Sequence, residues 1–185
     1  MRDSDSLTRC LLYPRAFPEG VLAPEAFVRL DRNKDSKDEV YETSVGPRGR
    51  FANETQVHEF GCRVSVEANE RGAGAAARNG KAYDPACYIG YYTIRYGELL
   101  RITADYYHIS VVWSPADGLK EHCDLTVRWN GYPSSANERK TERLQIQIDI
   151  AALLEGPVRG LCACDAARHS ELASIIIPNR KVAVA

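Results

Sequence analysis

Residues 88 to 129 read YIGYYTIRYGELLRITADYYHISVVWSPADGLKEHCDLTVRW, and this stretch decides the fold. Aromatic and β-branched residues recur at strand spacing, with breaks at Gly97 and Gly118. Strands are therefore expected over residues 88–96, 99–104, 107–113 and 123–129. Short connections favour antiparallel pairing of neighbours as a meander, so the expected core is an antiparallel sheet.

Working outward toward the C-terminus, Leu144-Gln-Ile-Gln-Ile-Asp-Ile150 alternates like a strand. Its flanks favour one continuous helix over 138–155, with Asn137 as the cap and Gly156 as the stop. A helix of that length lies across one face of the sheet. The fold class is then α+β, with an irregular, proline-containing N-terminal wrap over residues 1–30. Pro14, Pro18 and Pro24 favour short edge strands and extended loops in residues 8–30. One domain spanning 1–185 is expected from the length.

Between the wrap and the sheet, Val40–Val45 alternates as a strand and Gly46-Pro-Arg-Gly-Arg50 breaks it. Asn53 caps an expected short helix over 54–60 that Gly61 stops, and Cys62–Glu67 reads as a strand. Residues 69–82 are dominated by glycine, alanine and charge, the composition of a mobile insertion loop.

Composition excludes several function classes. The chain has 185 residues, 44% hydrophobic and 26% charged, with a formal charge of −1, so no global field recruits nucleic acid or an anionic membrane. The longest apolar run, Ile175–Ile177, is far below the roughly 18 residues of a membrane span. The polar N-terminus is unlike a signal peptide, and a cytoplasmic protein is expected.

Ligand motifs are incomplete. Gly46–Arg50 lacks the spacing of a phosphate loop, and Gly72-Ala-Gly74 lacks the strand and acidic residue of a dinucleotide site. Asp31, Asn33 and Asp35 start like a calcium loop, but Ser36 stands where glycine is required. Six cysteines, Cys10, Cys62, Cys87, Cys123, Cys162 and Cys164, are too sparse for a disulfide framework, so reduced, buried thiols are expected. Cys162 and Cys164 form the tightest pair, with His58 and Cys62, or else His169, as the donors that would join them. One residue between ligands is short for a zinc knuckle, and neither metal nor cofactor is expected.

Acid–base chemistry centres on His108-Ile-Ser110 and His122-Cys-Asp124. Residues i and i+2 of a strand share a face, so His108, Ser110, His122 and Asp124 are the candidate catalytic set. His108-Ile-Ser110 resembles half of the His-x-Ser/Thr signature of two-histidine phosphoesterases, and His122-Cys-Asp124 departs from the other half. The alternative is a protein-binding module anchored on Tyr91, Tyr107, Trp113 and Trp129, since aromatic residues serve interfaces as readily as cores.

The order of features also resembles small uncharacterised bacterial proteins. Arg15-Ala-Phe17-Pro18 and Pro24-Glu-Ala-Phe27 precede Lys37-Asp38 and Ser44-Val45, then Glu121-His122-Cys-Asp-Leu125 and the charged Glu138–Glu142 segment. The resemblance covers roughly residues 12 to 155 and has no counterpart of the Gly and Ala-rich insertion. It implies a bacterial cytosolic accessory protein and assigns no catalytic residue. A non-enzymatic adaptor with a protein partner is the expected function, and a small hydrolase or nucleotide-processing enzyme the alternative.

Overall fold

The computed structural model describes residues 2, 5–17, 22–23, 28–33, 40–102, 107–130, 135–162, 168–175 and 177. Seven strands form an antiparallel sheet: β1 Ser6–Tyr13, β2 Asp31–Arg32, β3 Val40–Pro47, β4 Cys87–Arg95, β5 Tyr107–Trp113, β6 Cys123–Trp129 and β7 Glu155–Arg159. Their order is β5-β6-β3-β1-β4-β7, with β2 beside β3. The helices are α1 Glu54–Arg78, α2 Tyr96–Leu99, α3 Ala136–Ala152 and α4 His169–Ser174. The α+β class follows directly.

β1 is a central strand, where the proline-rich segment 8–30 read as an edge or wrap. The strand ends at Tyr13, before Pro14, and buries Leu7 and Leu11 completely and Cys10 nearly so. A short strand with both faces covered belongs inside a sheet. It pairs with β4 from Ser6↔Arg95 to Tyr13↔Cys87.

The meander reduces to one hairpin, β5–β6. Residues 99–102 are not strand: the chain leaves β4 through α2, burying Leu99, and continues in a turn. Residues 103 and 104 lie outside the described residues. Among the described residues no helix is long and apolar enough to cross a membrane.

α1 overturns three expectations at once. Asn53 does cap it, accepting from the Gln56 amide at 3.0 Å. The helix then runs through Gly61, through the expected strand 62–67, and through most of the expected loop 69–82. Its glycines are approach points: a Cβ on Gly61 would come within 2.1 Å of the Tyr88 ring, and one on Gly72 within 2.3 Å of the Tyr83 ring. Close packing against an aromatic face is worth more here than the roughly 1 kcal/mol that a glycine costs a helix.

α3 starts two residues before the expected 138–155 helix and ends three before it. Ser135, and not Asn137, is the cap, in a capping box with Glu138. Gly156 sits inside β7 at φ +116° and terminates nothing.

The sheet has a helix on each face. On one, Leu7, Leu11, Tyr92 and Leu125 pack with Ile146 and Ile150 of α3. On the other, Cys10, Tyr88 and Tyr91 pack with Val57 and Phe60 of α1. That second face also holds a disulfide between Cys62 of α1 and Cys162 after β7, with Cα atoms 5.5 Å apart. The expectation of reduced thiols fails for this pair, because the continuous helix turns Cys62 toward the sheet edge that Cys162 follows. Cys10, Cys87 and Cys123 are free and buried. Cys164 lies outside the described residues, as does the stretch 34–39 of the calcium-like loop.

Candidate functional site

β1 and β3 pair only at Leu7↔Pro47 and Thr8↔Gly46. Beyond that point Arg9 of β1 directs its Nη1 to the Ser44 carbonyl of β3 at 2.7 Å, so a side chain stands where a ladder bond would be. β2 covers the β3 edge further along, at Tyr41 and Glu42. The two halves of the sheet thus part, and a cleft of about 800 Å³ opens between them. That volume is within the range of small-molecule sites, about 300 to 1,000 Å³.

One wall of the cleft is β1 and the turn after it, with Arg9, Cys10, Leu12 and Arg15. The opposite wall carries Asp31, Glu42, Ser44 and Asp124. Val64, Glu67, Ala68 and Arg71 of α1 flank it, and Ser114 and His122 close it from the base of the β5–β6 hairpin. Burial keeps Cys10 from acting as a nucleophile, since it pushes the thiol up to about 12. Loss of water lowers the Arg9 guanidinium from its ordinary value, and nearby Cys10 and Asp31 oppose that effect.

The cleft's charges are partly matched. Arg29 meets Asp31 at 2.9 Å and Arg71 meets Glu67 at 3.3 Å. Arg15 donates to the Ala68 carbonyl at 2.8 Å and to the Tyr83 hydroxyl at 2.7 Å. Among the described residues Arg15 meets no carboxylate, so it carries unneutralised positive charge at the rim.

His122, Asp124 and Ser114 converge at the hairpin base. His122 Nδ1 lies 2.7 Å from the Ser114 carbonyl oxygen and 3.0 Å from Ser114 Oγ. A carbonyl can only accept, so Nδ1 carries the proton and Nε2 is the basic nitrogen. Ser114 Oγ–H in turn donates to Asp124 Oδ2. The other carboxylate oxygen, Oδ1, faces His122 Nε2 at 3.7 Å, placed to stabilise an imidazolium. Both side chains are largely but not fully shielded, at 14% and 20% exposure.

This arrangement differs from a serine-hydrolase relay. There the serine proton passes to histidine, and the carboxylate holds the far nitrogen. Here the Ser114 proton points to Asp124, so Ser114 bridges the histidine and the carboxylate, and Nε2 is left facing Asp124 Oδ1.

The four candidate catalytic residues are not one cluster. The hairpin register sets His108 opposite Arg128, Ser110 opposite Thr126 and Val112 opposite Asp124. All lie on one face, but His108 is exposed at the far end, about 20 Å from His122 at roughly 3.3 Å per residue. Ser110 Oγ pairs with Thr126 Oγ1 at 2.8 Å. The two-imidazole arrangement is therefore absent. Of the candidate aromatic anchors, Tyr91, Tyr107 and Trp129 are buried in the two cores, and Trp113 is 60% exposed.

Neither Ser114 nor the cleft arginines belong to a recognisable motif in the sequence. Ser114 was accessible through hairpin register, because extending the β5–β6 pairing by one step sets it across from His122, whose carbonyl accepts its amide at 3.3 Å. The arginines carry no comparable signal, since they come from β1, a turn, a loop and a helix. No family model, no curated protein and no solved structure matches the chain, so every role at this site rests on its own geometry.

Proposed function

We propose that the protein is a small hydrolase acting on an anionic, phosphate-bearing small molecule in the cleft between β1 and β3. The observation that carries this reading is the His122–Asp124 pair, with its tautomer set by the Ser114 carbonyl, on the wall of an arginine-bearing cleft. In this reading His122 Nε2 takes a proton from a water whose oxygen bonds to phosphorus as the P–O bond to the leaving alcohol breaks, and the imidazolium, stabilised by Asp124, returns that proton to the departing alkoxide. Arg15 and its neighbours hold the substrate's negative charge. The test is a panel of chromogenic phosphomonoesters, phosphodiesters and carboxylic esters, run with wild type and His122→Gln. Turnover of a phosphoester that the variant loses supports the reading; no turnover, or equal turnover by both proteins, sinks it.

An adaptor role is the second reading, and one observation favours it. β5 is the outermost strand on its side, with Val112 half-exposed and Trp113 more so, the form of an edge that accepts a partner's strand. A protein partner is proposed for that edge. A bacterial setting is proposed on the resemblance noted above. The Cys62–Cys162 bond weighs against a strongly reducing compartment, because disulfides are rare there.

A further inference from the structure

The β5–β6 hairpin has a second concavity on the face opposite His122 and Asp124. Strand alternation requires it: Cys123 lies between those two residues and points the other way, as Trp113 does beside Ser114. There a pocket of about 350 Å³ is bounded by Val111, Trp113, Cys123 and Pro47, with Arg2 and Arg50 at its edge. Its lining separates by chemistry into an aromatic and aliphatic floor and two guanidinium groups.

The indole is oriented. Trp113 Nε1 donates to the Lys120 carbonyl at 3.2 Å, which fixes one edge of the ring while 60% of the residue is open to solvent. The Arg50 guanidinium lies 5.7 Å from the ring centroid. Among the described residues neither Arg50 nor Arg2 forms a side-chain ion pair. Asp5 also borders the pocket, but its carboxylate accepts from the Arg2 backbone amide at 2.7 Å. Trp113, Arg50 and Arg2 are all exposed, so an aromatic face and two guanidiniums, offset by the one carboxylate of Asp5, are open together to a ligand with both complements.

We propose that this pocket is a second ligand site that takes a nucleoside monophosphate, with its base against Trp113 and its phosphate between Arg2 and Arg50. Two guanidiniums suit a phosphate's several acceptor oxygens better than a single carboxylate's two. A planar base on an exposed indole gains stacking that is tolerant of base identity. The site is independent of the hydrolytic chemistry proposed for the cleft.

The experiment is calorimetric titration of the full chain with adenosine monophosphate, adenosine, inorganic phosphate and benzoate, repeated with Trp113→Ala, Arg50→Ala and His122→Gln. The expected result is saturable binding of the nucleotide, with adenosine and phosphate alone at least tenfold weaker and benzoate weaker than the nucleotide. Trp113→Ala and Arg50→Ala should each weaken it tenfold or more, and His122→Gln should leave it unchanged. Trp113 and Arg50 are surface-exposed, so their variants fold, and a melting curve of His122→Gln beside wild type checks the third. Absence of nucleotide binding overturns the proposal, as does binding indifferent to Trp113 and Arg50. Binding lost in His122→Gln alone would place the nucleotide in the cleft and also overturn it. Benzoate binding as tightly as the nucleotide would replace the phosphate by a carboxylate and overturn the ligand class.

Discussion

The His122 ring is held by the carbonyl of Ser114, its neighbour across the closing pair of the β5–β6 hairpin, at 2.7 Å. The bond comes from backbone and not from a mobile side chain, so the tautomer is a property of the fold. His122→Gln should therefore abolish proton transfer with little effect on folding. Any hydrolytic rate found for the protein is expected to fall about 10²-fold to 10⁴-fold. Ser114→Ala keeps the carbonyl and should cost less. Steady-state rates and melting curves of the two variants, side by side, check both statements.

Gly61 and Gly74 lie on one helix, yet alanine should act on them in opposite directions. At Gly61 the new methyl meets the Tyr88 ring at 2.1 Å, and overpacking of that kind costs about 1 to 3 kcal/mol. At Gly74 the nearest atom is the tip of Arg78 at 3.6 Å, an ordinary contact, so alanine gains about 0.5 to 1 kcal/mol of helix propensity. Urea denaturation of both variants measures the difference. A Gly74→Ala protein no more stable than wild type would argue against helix at that position.

The Cys62–Cys162 bond closes a segment of 100 residues in sequence separation. Chain-entropy reasoning assigns such a crosslink up to about 5 kcal/mol through the unfolded state. Dithiothreitol should lower the melting temperature of wild type and leave a Cys62→Ser protein unaffected. Peptide mapping without reductant should recover residues 62 and 162 in one crosslinked product.

Alkaline pH should destabilise the protein through Cys10. Burial raises its thiol from the ordinary value of 9.0 to about 12 in the folded chain. Between those values the unfolded chain has released a proton that the folded chain retains. Stability is then complete below about pH 9 and falls as pH rises toward 12, by roughly 1 kcal/mol per pH unit. Tyr88, its phenol also raised by burial, adds to the same trend above its ordinary value of 10.0. Cys10→Ala should flatten the slope between pH 9 and 12, measured by urea denaturation across that range.

The legible parts of the fold were those whose signal is local. β5 and β6 are bounded as their residue patterns require, since Tyr107–Trp113 and Cys123–Trp129 are uninterrupted runs between turn residues. α1 was obscured because Gly61 and Gly72 look like breakers when read alone. Their purpose depends on Tyr88 and Tyr83, 27 and 11 residues further along, which no local window relates to them. β1 was misplaced for a similar reason, its central position being set by partners at Pro47 and Arg95. At the site, His122 and Asp124 were visible as an alternating pair. Their separation from His108 is a matter of hairpin register, and the cleft arginines depend on where β1 leaves β3.

That parting of β1 from β3 has a mechanical meaning. β1 is bound to β4 along its whole length, and β3 to β6 from Val40↔Arg128 to Val45↔Cys123. Among the described residues, backbone pairing between these two ladders is confined to Leu7 and Thr8, with the Arg9 side-chain bond beside it. The backbone ladder is therefore interrupted along this line, and what ties the two halves across it is the shared core in which Leu7, Leu11 and Tyr92 pack with Leu125 against α3. A load that a sheet usually spreads along its ladder rests here on side chains, so the width between Arg15 and Asp124, on opposite walls of the cleft, is set by core packing and not by backbone bonds.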